Sequence, residues 1–276
     1  SLGLPSESIF TGYDAVDNCF FAASTEKIYE KATEVGGKRV LREFYGLPAS
    51  YFLSLGRMVE KKNLAALVEA YAEFCASTQR DAVSQQNAIA LVFVGSGELE
   101  RSLQEQARSL GLQVIIKQGA LKFQFTESPS NTDVQPSGDS SNLGKVFFYG
   151  FRQIKENAIF YALAEAFLLP SLKEEWGLVV NEAMACSLPV LVSRAVGCSE
   201  DLLEGSAQGS GAVQECTNGY VFDPTSVQSL ARALELSAES QQRRLEMGKK
   251  SLAIVARFSC ENFARQALAA INLSKP

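Results

Sequence analysis

The sequence predicts an α/β fold, a Rossmann-like parallel β-sheet with helices on both faces. Three observations predict it. Short apolar runs such as "IALVFVG" (89–95) and "LPVLVS" (188–193) lack polar alternation, as strands buried on both faces do. Segments such as "LAALVEAYAEFCA" (64–76) repeat apolar residues at helical spacing. The two kinds alternate along the chain, the pattern of βαβ units.

Six strands are expected: 51–57, 89–95, 146–150, 166–171, 188–193 and 219–223. Helices are expected at 64–76, at 98–112 with Gly111 closing it, at 156–165 and from Val179 to Cys186. Helical stretches then run from about Ser226 to Leu273, broken near Phe258–Ser259. Residues 1–45 stand outside this rhythm and read as a connector with a charged, largely helical part at 25–48. Residues 46–276 form the expected domain. The segment "TESPSNTDVQPSGDSSN" (126–142) has almost nothing to bury and reads as a mobile insertion. "EGSAQGSGAVQECTNG" (204–219) reads as a Gly-rich surface loop.

Composition excludes several classes. The 276 residues carry a formal net charge of -5, so there is no positive excess for nucleic acid or an anionic membrane. No apolar run is long enough for a transmembrane helix, and the first residues lack the basic and apolar regions of a signal peptide. The six cysteines form no CxxC pair and there is no His, which argues against a structural zinc site and for reduced thiols in a cytoplasmic protein. Chemistry here falls to carboxylates, Lys, Arg and backbone amides, because the commonest general base is absent.

Ligands of open α/β sheets bind at the carboxyl ends of the strands. Three motifs lie there. In "EEWGLVVNEAMACSLPV" (174–190) the chain turns through Gly177 into a helix whose first amides, at Leu178 and Val179, favour an anion such as a phosphate. Glu182, about one turn in, can accept hydrogen bonds from vicinal ribose hydroxyls, and Glu174, before the turn, can hold a second sugar. Read alone, these acids are equally solvated loop and helix residues; the apolar surroundings argue against a spare carboxylate. In "LGRMVEKKNL" (55–64), Gly56 ends a strand, and Arg57 with Lys61 or Lys62 can bind a diphosphate at two points. The alternative is an ordinary charged loop. "VGSGELE" (94–100), with Gly95, lacks the third Gly of the dinucleotide fingerprint and is a weak motif, more simply a tight turn. In "YGFRQ" (149–153), Phe151 is either an apolar wall for a base or a core residue.

Together "SLGRMVEKKN", "LVFVGSGELE", "VFFYGF", "FLLPSLKEEWGLVVNEAMACSLPVLVS" and "NGYVFDP" resemble the C-terminal, nucleotide-binding half of a GT-B glycosyltransferase of the retaining family 4, or group 1, type. They cover nearly all of residues 46–224 outside the two insertions, and Glu174 and Glu182 match the family's E-x7-E motif. The resemblance implies that Arg57 and Lys62 neutralise a departing diphosphate, with Lys61 a lesser substitute. It implies that Glu174 contacts the transferred sugar and Glu182 the ribose. Gly56, Gly95 and Phe151 would lie near the nucleotide, and the amides at Gly177, Leu178 and Val179 on the diphosphate. No metal or other cofactor is implied; the donor is a nucleoside-diphosphate sugar. The family's N-terminal, acceptor-binding half is the implied partner and has no counterpart here, so any membrane-surface contact would run through it.

A competing expectation is a nucleotide-sugar-binding module that regulates or completes a partner chain. A hydrolase or epimerase on the same fold is disfavoured by the lack of His, and a dehydrogenase by the lack of GxGxxG after the first strand.

Overall fold

A computed structural model describes residues 14–78, 88–117, 143–205 and 212–273. The candidate insertion at 126–142 lies outside the described residues. Two helices come first among the described residues, α1 (Asn18–Glu34) and α2 (Lys38–Phe44). The βα alternation follows: β1 (Tyr51–Leu55), α3 (Leu64–Thr78), β2 (Ala90–Val94), α4 (Glu100–Ser109), β3 (Gln113–Ile116), β4 (Lys145–Phe148), α5 (Ile154–Leu163), β5 (Ala166–Leu169), α6 (Leu178–Ala185), β6 (Val190–Ser193) and α7 (Ser199–Leu202). A hairpin of β7 (Val213–Cys216) and β8 (Gly219–Phe222) leads to α8 (Val227–Ala238), α9 (Gln241–Val255) and α10 (Cys260–Leu273).

The strands form one sheet of eight in the order β3-β4-β2-β1-β5-β6-β8-β7. All neighbours are parallel except the edge pair β7 and β8. The apolar strands bury both faces by alternation. Tyr51, Leu53, Ala90 and Val92 face one core cluster; Phe52, Leu91 and Phe93 face the other. The first cluster lies under α1, α2, α5 and α6, the second under α3, α4 and α8.

The predicted six strands are all present, and β3 and β7 add to them. β3 is an edge strand whose end residues, Gln113 and Ile116, are exposed, so "QVII" carries no continuous buried signal. β7 corrects the surface-loop expectation for 204–219. "VQEC" is a half-exposed antiparallel edge strand inside a Gly- and Ser-rich run, where composition hides it. The C-terminal helices break at Glu239–Ser240 as well as before Cys260; Ser240 caps α9 by accepting from the Arg243 amide at 3.2 Å. The stretch read as a connector contributes Phe21, Ile28, Leu41 and Phe44 to the first core cluster, so α1 and α2 share the core of the sheet.

At the amino ends of the strands, Glu165 bridges Arg42 (2.9 Å) and Arg244 (3.0 Å), and all three side chains are nearly buried. Arg42 also donates to the Leu163 carbonyl at 2.7 Å and Arg244 to that of Ser237 at 2.7 Å. Burial pushes the Glu165 carboxyl up, but the two guanidinium groups outweigh it and hold it below its ordinary value. A carboxyl depressed in the folded state stabilises above its unfolded pKa and loses that contribution as pH falls through the folded one. Glu165→Ala strands two buried charges and should destabilise the chain by about 3–5 kcal/mol. Urea unfolding at pH 7 checks this, and the gap between variant and wild type should begin to narrow as pH falls below 4.5, the carboxyl's ordinary value.

Candidate functional site

The strand order reverses between β1 and β5: β2, β4 and β3 lie on one side, β6, β8 and β7 on the other. Loops leaving the carboxyl ends of these strands diverge and open a crevice between them. Ser54, Gly56, Arg57, Lys62, Phe93 and Leu169 are among the residues lining a depression there.

The β1–α3 loop supplies the cations. Gly56 leaves the sheet with φ +147°, and its amide donates to the Val94 carbonyl at 2.9 Å. Arg57 follows, exposed, and its guanidinium makes no hydrogen bond or ion pair to a described residue. Lys61 and Lys62 sit in a single 3-10 turn (Glu60–Lys62) that ends at left-handed Asn63. Asn63 anchors this turn by donating to the Pro224 carbonyl at 2.8 Å.

The β5–α6 loop supplies the acid. Glu174 is mostly buried and receives a short hydrogen bond from Lys62 on Oε2, one from Lys61 on Oε1 at 3.4 Å and one from Ser171 at 3.4 Å. Burial pushes the Glu174 carboxyl up, yet the hydrogen bonds and charges of Lys62 and then Lys61 outweigh it, leaving it below its ordinary value. The reading of Glu174 as an exposed loop acid is therefore corrected: its side chain is 14% exposed, against 80% for Glu175. The backbones are tied as well. The Leu172 amide donates to the Lys61 carbonyl at 2.9 Å, and Gly197 to that of Glu174 at 3.0 Å.

Gly177 caps α6 with φ +101°, where a Cβ would also press on Leu169 and Val196 at 3.0 Å. The first intrahelical bond runs from the Val180 amide to the Gly177 carbonyl at 2.8 Å, and the amides of Leu178 and Val179 donate to no described residue. The Leu178 side chain is exposed and Val179 half-buried. Glu182 is half-buried, and one of its oxygens accepts from the Tyr161 phenol at 2.8 Å. Burial pushes its carboxyl up, with the Tyr161 hydrogen bond pulling the other way. Among the described residues no hydrogen bond or ion pair joins Glu182 to the Lys62–Glu174 group.

Gly95 lies beside the β1 loop: a Cβ there would come within 2.0 Å of the Gly56 carbonyl oxygen, and its amide donates to that of Gly150 at 2.8 Å. Gly97 meets Met58 just as closely. These contacts explain both glycines as close backbone approaches, the tight-turn alternative. Phe151 is 67% exposed, which rules out the core-residue alternative. Ile154, Leu172 and Leu178 are exposed as well. Ser171, Tyr161 and the chain Trp176–Asn181–Asp14 did not stand out in the sequence. In that chain Trp176 Nε1 donates to Asn181 at 2.9 Å and Asn181 to the Asp14 carbonyl at 3.1 Å. A polar residue inside an otherwise apolar helix, Asn181, was the available signal.

Among the described residues no cluster of Cys, Asp or Glu is arranged to hold a metal ion. The site offers two or three cations, a helix N-terminus and two carboxylates in different electrostatic states. It can bind a phosphorylated ligand through the first two and hydroxyls through the last.

A family model described as "Glycosyl transferases group 1" matches residues 43–122 and 138–253. The chain is 27% identical over 229 residues to the serotype-specific mannosyltransferase WbdA of Escherichia coli, covering 83% of this chain and 22% of that protein. It is 33% identical over 102 residues to the sulfoquinovosyl transferase SQD2 of Arabidopsis thaliana, covering 37% of this chain and 18% of that one. Among solved structures, Anabaena Alr3699/HepE in complex with UDP and glucose aligns with TM-score 0.61 and 19% identity, over 94% of this chain and 55% of that one. A C-terminal domain of a group 1 family glycosyl transferase (LpcC) from Francisella tularensis aligns with TM-score 0.55 and 17% identity, over 80% of this chain and 93% of that one. The chain thus spans about a fifth of the first relative's length.

Lys62→Met should remove the largest opposing influence on Glu174, so that burial dominates and its carboxyl titrates higher than in the wild type. Carbon-detected NMR titration of the Glu174 carboxyl checks the direction. Lys61→Met should shift it less.

Proposed function

The chain belongs to the group 1 glycosyltransferases, and on that premise we propose that it is the donor-binding half of a retaining enzyme. The ligand is a nucleoside-diphosphate sugar. The observation that carries the reading is the convergence of Arg57, Lys62, Glu174 and the α6 N-terminus on the crevice where the strand order reverses.

The ribose sits against Glu182, whose free carboxylate oxygen accepts from vicinal hydroxyls. The diphosphate lies over Gly177 and the open amides of Leu178 and Val179, where the helix end favours negative charge. Gly56, Gly95 and exposed Phe151 flank the nucleotide. Glu174 reaches the transferred sugar. As the bond from the sugar's anomeric carbon to the diphosphate oxygen breaks, negative charge grows on the leaving group. Arg57 and Lys62 meet that charge, which makes a metal ion unnecessary. In the ligand-free chain Lys62 is held by Glu174, and the incoming diphosphate competes for it.

The acceptor is held by an N-terminal half outside these residues. The alignment with a C-terminal domain structure, and with about half of a chain solved in complex with UDP and glucose, supports this division. No described helix is long and apolar enough to cross a membrane. All six cysteines are free, which fits a reducing, cytoplasmic setting; membrane contact falls to the other half.

Glu182→Ala should weaken nucleoside-diphosphate binding by about 1.5–3 kcal/mol, the worth of a hydrogen bond to a charged group, without unfolding the chain. Arg57→Ala and Lys62→Ala should weaken the diphosphate more than the bare nucleoside, and Lys61→Ala less than Lys62→Ala. Calorimetry with UDP, GDP and the matching nucleosides checks all three, and equal loss for both ligands would refute the phosphate role. Incubated with labelled donor and a panel of acceptors, these 276 residues alone should show no efficient transfer, because near-attack geometry needs both walls of the cleft. Robust transfer would contradict the division of labour.

A further inference from the structure

We infer that Tyr161 is a positioning residue for Glu182, its phenol fixing which carboxylate oxygen is presented to the ribose hydroxyls. The inference rests on the ribose reading of Glu182 and deepens it. Tyr161 lies on α5, not on the strand ends or loops that carry the rest of the site.

The geometry is one-sided. Tyr161 is fully buried, and its O–H donates to Oε2 of Glu182 at 2.8 Å. A carboxylate has about four acceptor positions on two oxygens. The phenol occupies one on Oε2, while Oε1 accepts from no described residue. A side chain with three rotatable bonds is thereby held in one orientation before any ligand arrives, which lowers the ordering cost on binding.

The phenol is itself held. The Phe21 ring stands edge-on to Tyr161 at 6.0 Å and the Phe167 ring at 5.6 Å. Phe21 comes from α1, and its carbonyl accepts from the Cys186 thiol at 3.8 Å. Burial, then the Glu182 charge, push the Tyr161 phenol well above its ordinary range, so it stays a donor at every working pH. Among the described residues the titratable group acting on Glu182 is Tyr161 from α5, while Cys186, just past the end of α6, feels the Glu182 charge; α1 faces this cluster with Phe21 and Thr25, which carry no charge.

A merely structural pair would serve to satisfy a buried phenol. A positioning pair makes a different demand: its loss must be felt at the ribose and not elsewhere on the ligand. The test is calorimetric binding of UDP and GDP and of their 2′,3′-dideoxy counterparts to wild type, Tyr161→Phe, Glu182→Gln and the double variant. Phenylalanine keeps the ring between Phe21 and Phe167. Wild type should prefer the ribose form by about tenfold or more, as hydrogen bonds to a charged group do. Tyr161→Phe should cut that preference by about threefold to tenfold while leaving dideoxy binding unchanged. Glu182→Gln should abolish most of it, and Tyr161→Phe should then add no further loss.

If Glu182→Gln loses the preference and Tyr161→Phe keeps it in full, the positioning inference is wrong and the ribose reading stands. If Glu182→Gln keeps the preference, or neither nucleotide binds wild type, the ribose reading itself fails. Should Tyr161→Phe not fold, the wild type still decides. The buried Tyr161 hydroxyl proton should shift in the NMR spectrum with UDP or GDP and not with the dideoxy form. An identical response to both forms would overturn the inference.

Discussion

The contact between Lys62 and Glu174 fastens together two loops that the strand order drives apart. β1 and β5 are neighbours, but the connections leaving them run to opposite halves of the sheet. Without a tie the crevice between them would be lined by two independent loops. Here the 3-10 turn at Glu60–Lys62 and the segment before Gly177 are joined by an ion pair and by the Leu172 amide on the Lys61 carbonyl. The Glu174 backbone is joined in turn to Gly197, so the loop after β6 is part of the same unit. A Cβ on Gly197 would lie 1.8 Å from the Glu175 carbonyl oxygen, so the close approach requires glycine there.

The two acids of the motif are eight positions apart and chemically unlike. Glu174 has two lysines within reach and is held ionised. Among the described residues Glu182 has a phenol and no cation as side-chain partner, and burial pushes it up. A carboxylate already neutralised by lysines suits a place where charge moves during a reaction, because its partners can be redistributed. A carboxylate with a neutral donor behind it suits hydroxyl recognition, because its acceptor capacity is left for the ligand. The opposite environments thus match the separate roles proposed for them.

Much of this was legible in the sequence. The buried parallel strands announced themselves as unbroken apolar runs, because burial on both faces removes polar alternation. Their carboxyl ends located Gly56, Arg57, Lys62, Glu174 and Gly177. The edge strands β3 and β7 were hidden, since one-sided burial over four residues leaves too little pattern. The Lys62–Glu174 pair was hidden too. Each residue was read for a ligand, while their mutual contact joins residues 112 apart along the chain that adjacent strands bring together. Tyr161 carried no signal at all, because an aromatic residue in an apolar helix reads as core, and it is core as well.

The account turns on Lys62 leaving Glu174 for the diphosphate. The most direct measurement is the titration of the Glu174 carboxyl by NMR in the free chain, with a bare nucleoside, and with UDP or GDP at saturation. Transfer of Lys62 to the phosphate, together with the arrival of negative charge, must raise the carboxyl's pKa with the diphosphate and leave it unchanged with the nucleoside. An unchanged titration with a diphosphate that demonstrably binds would mean that Lys62 stays on Glu174, and that the cations here hold the loops together without serving the ligand.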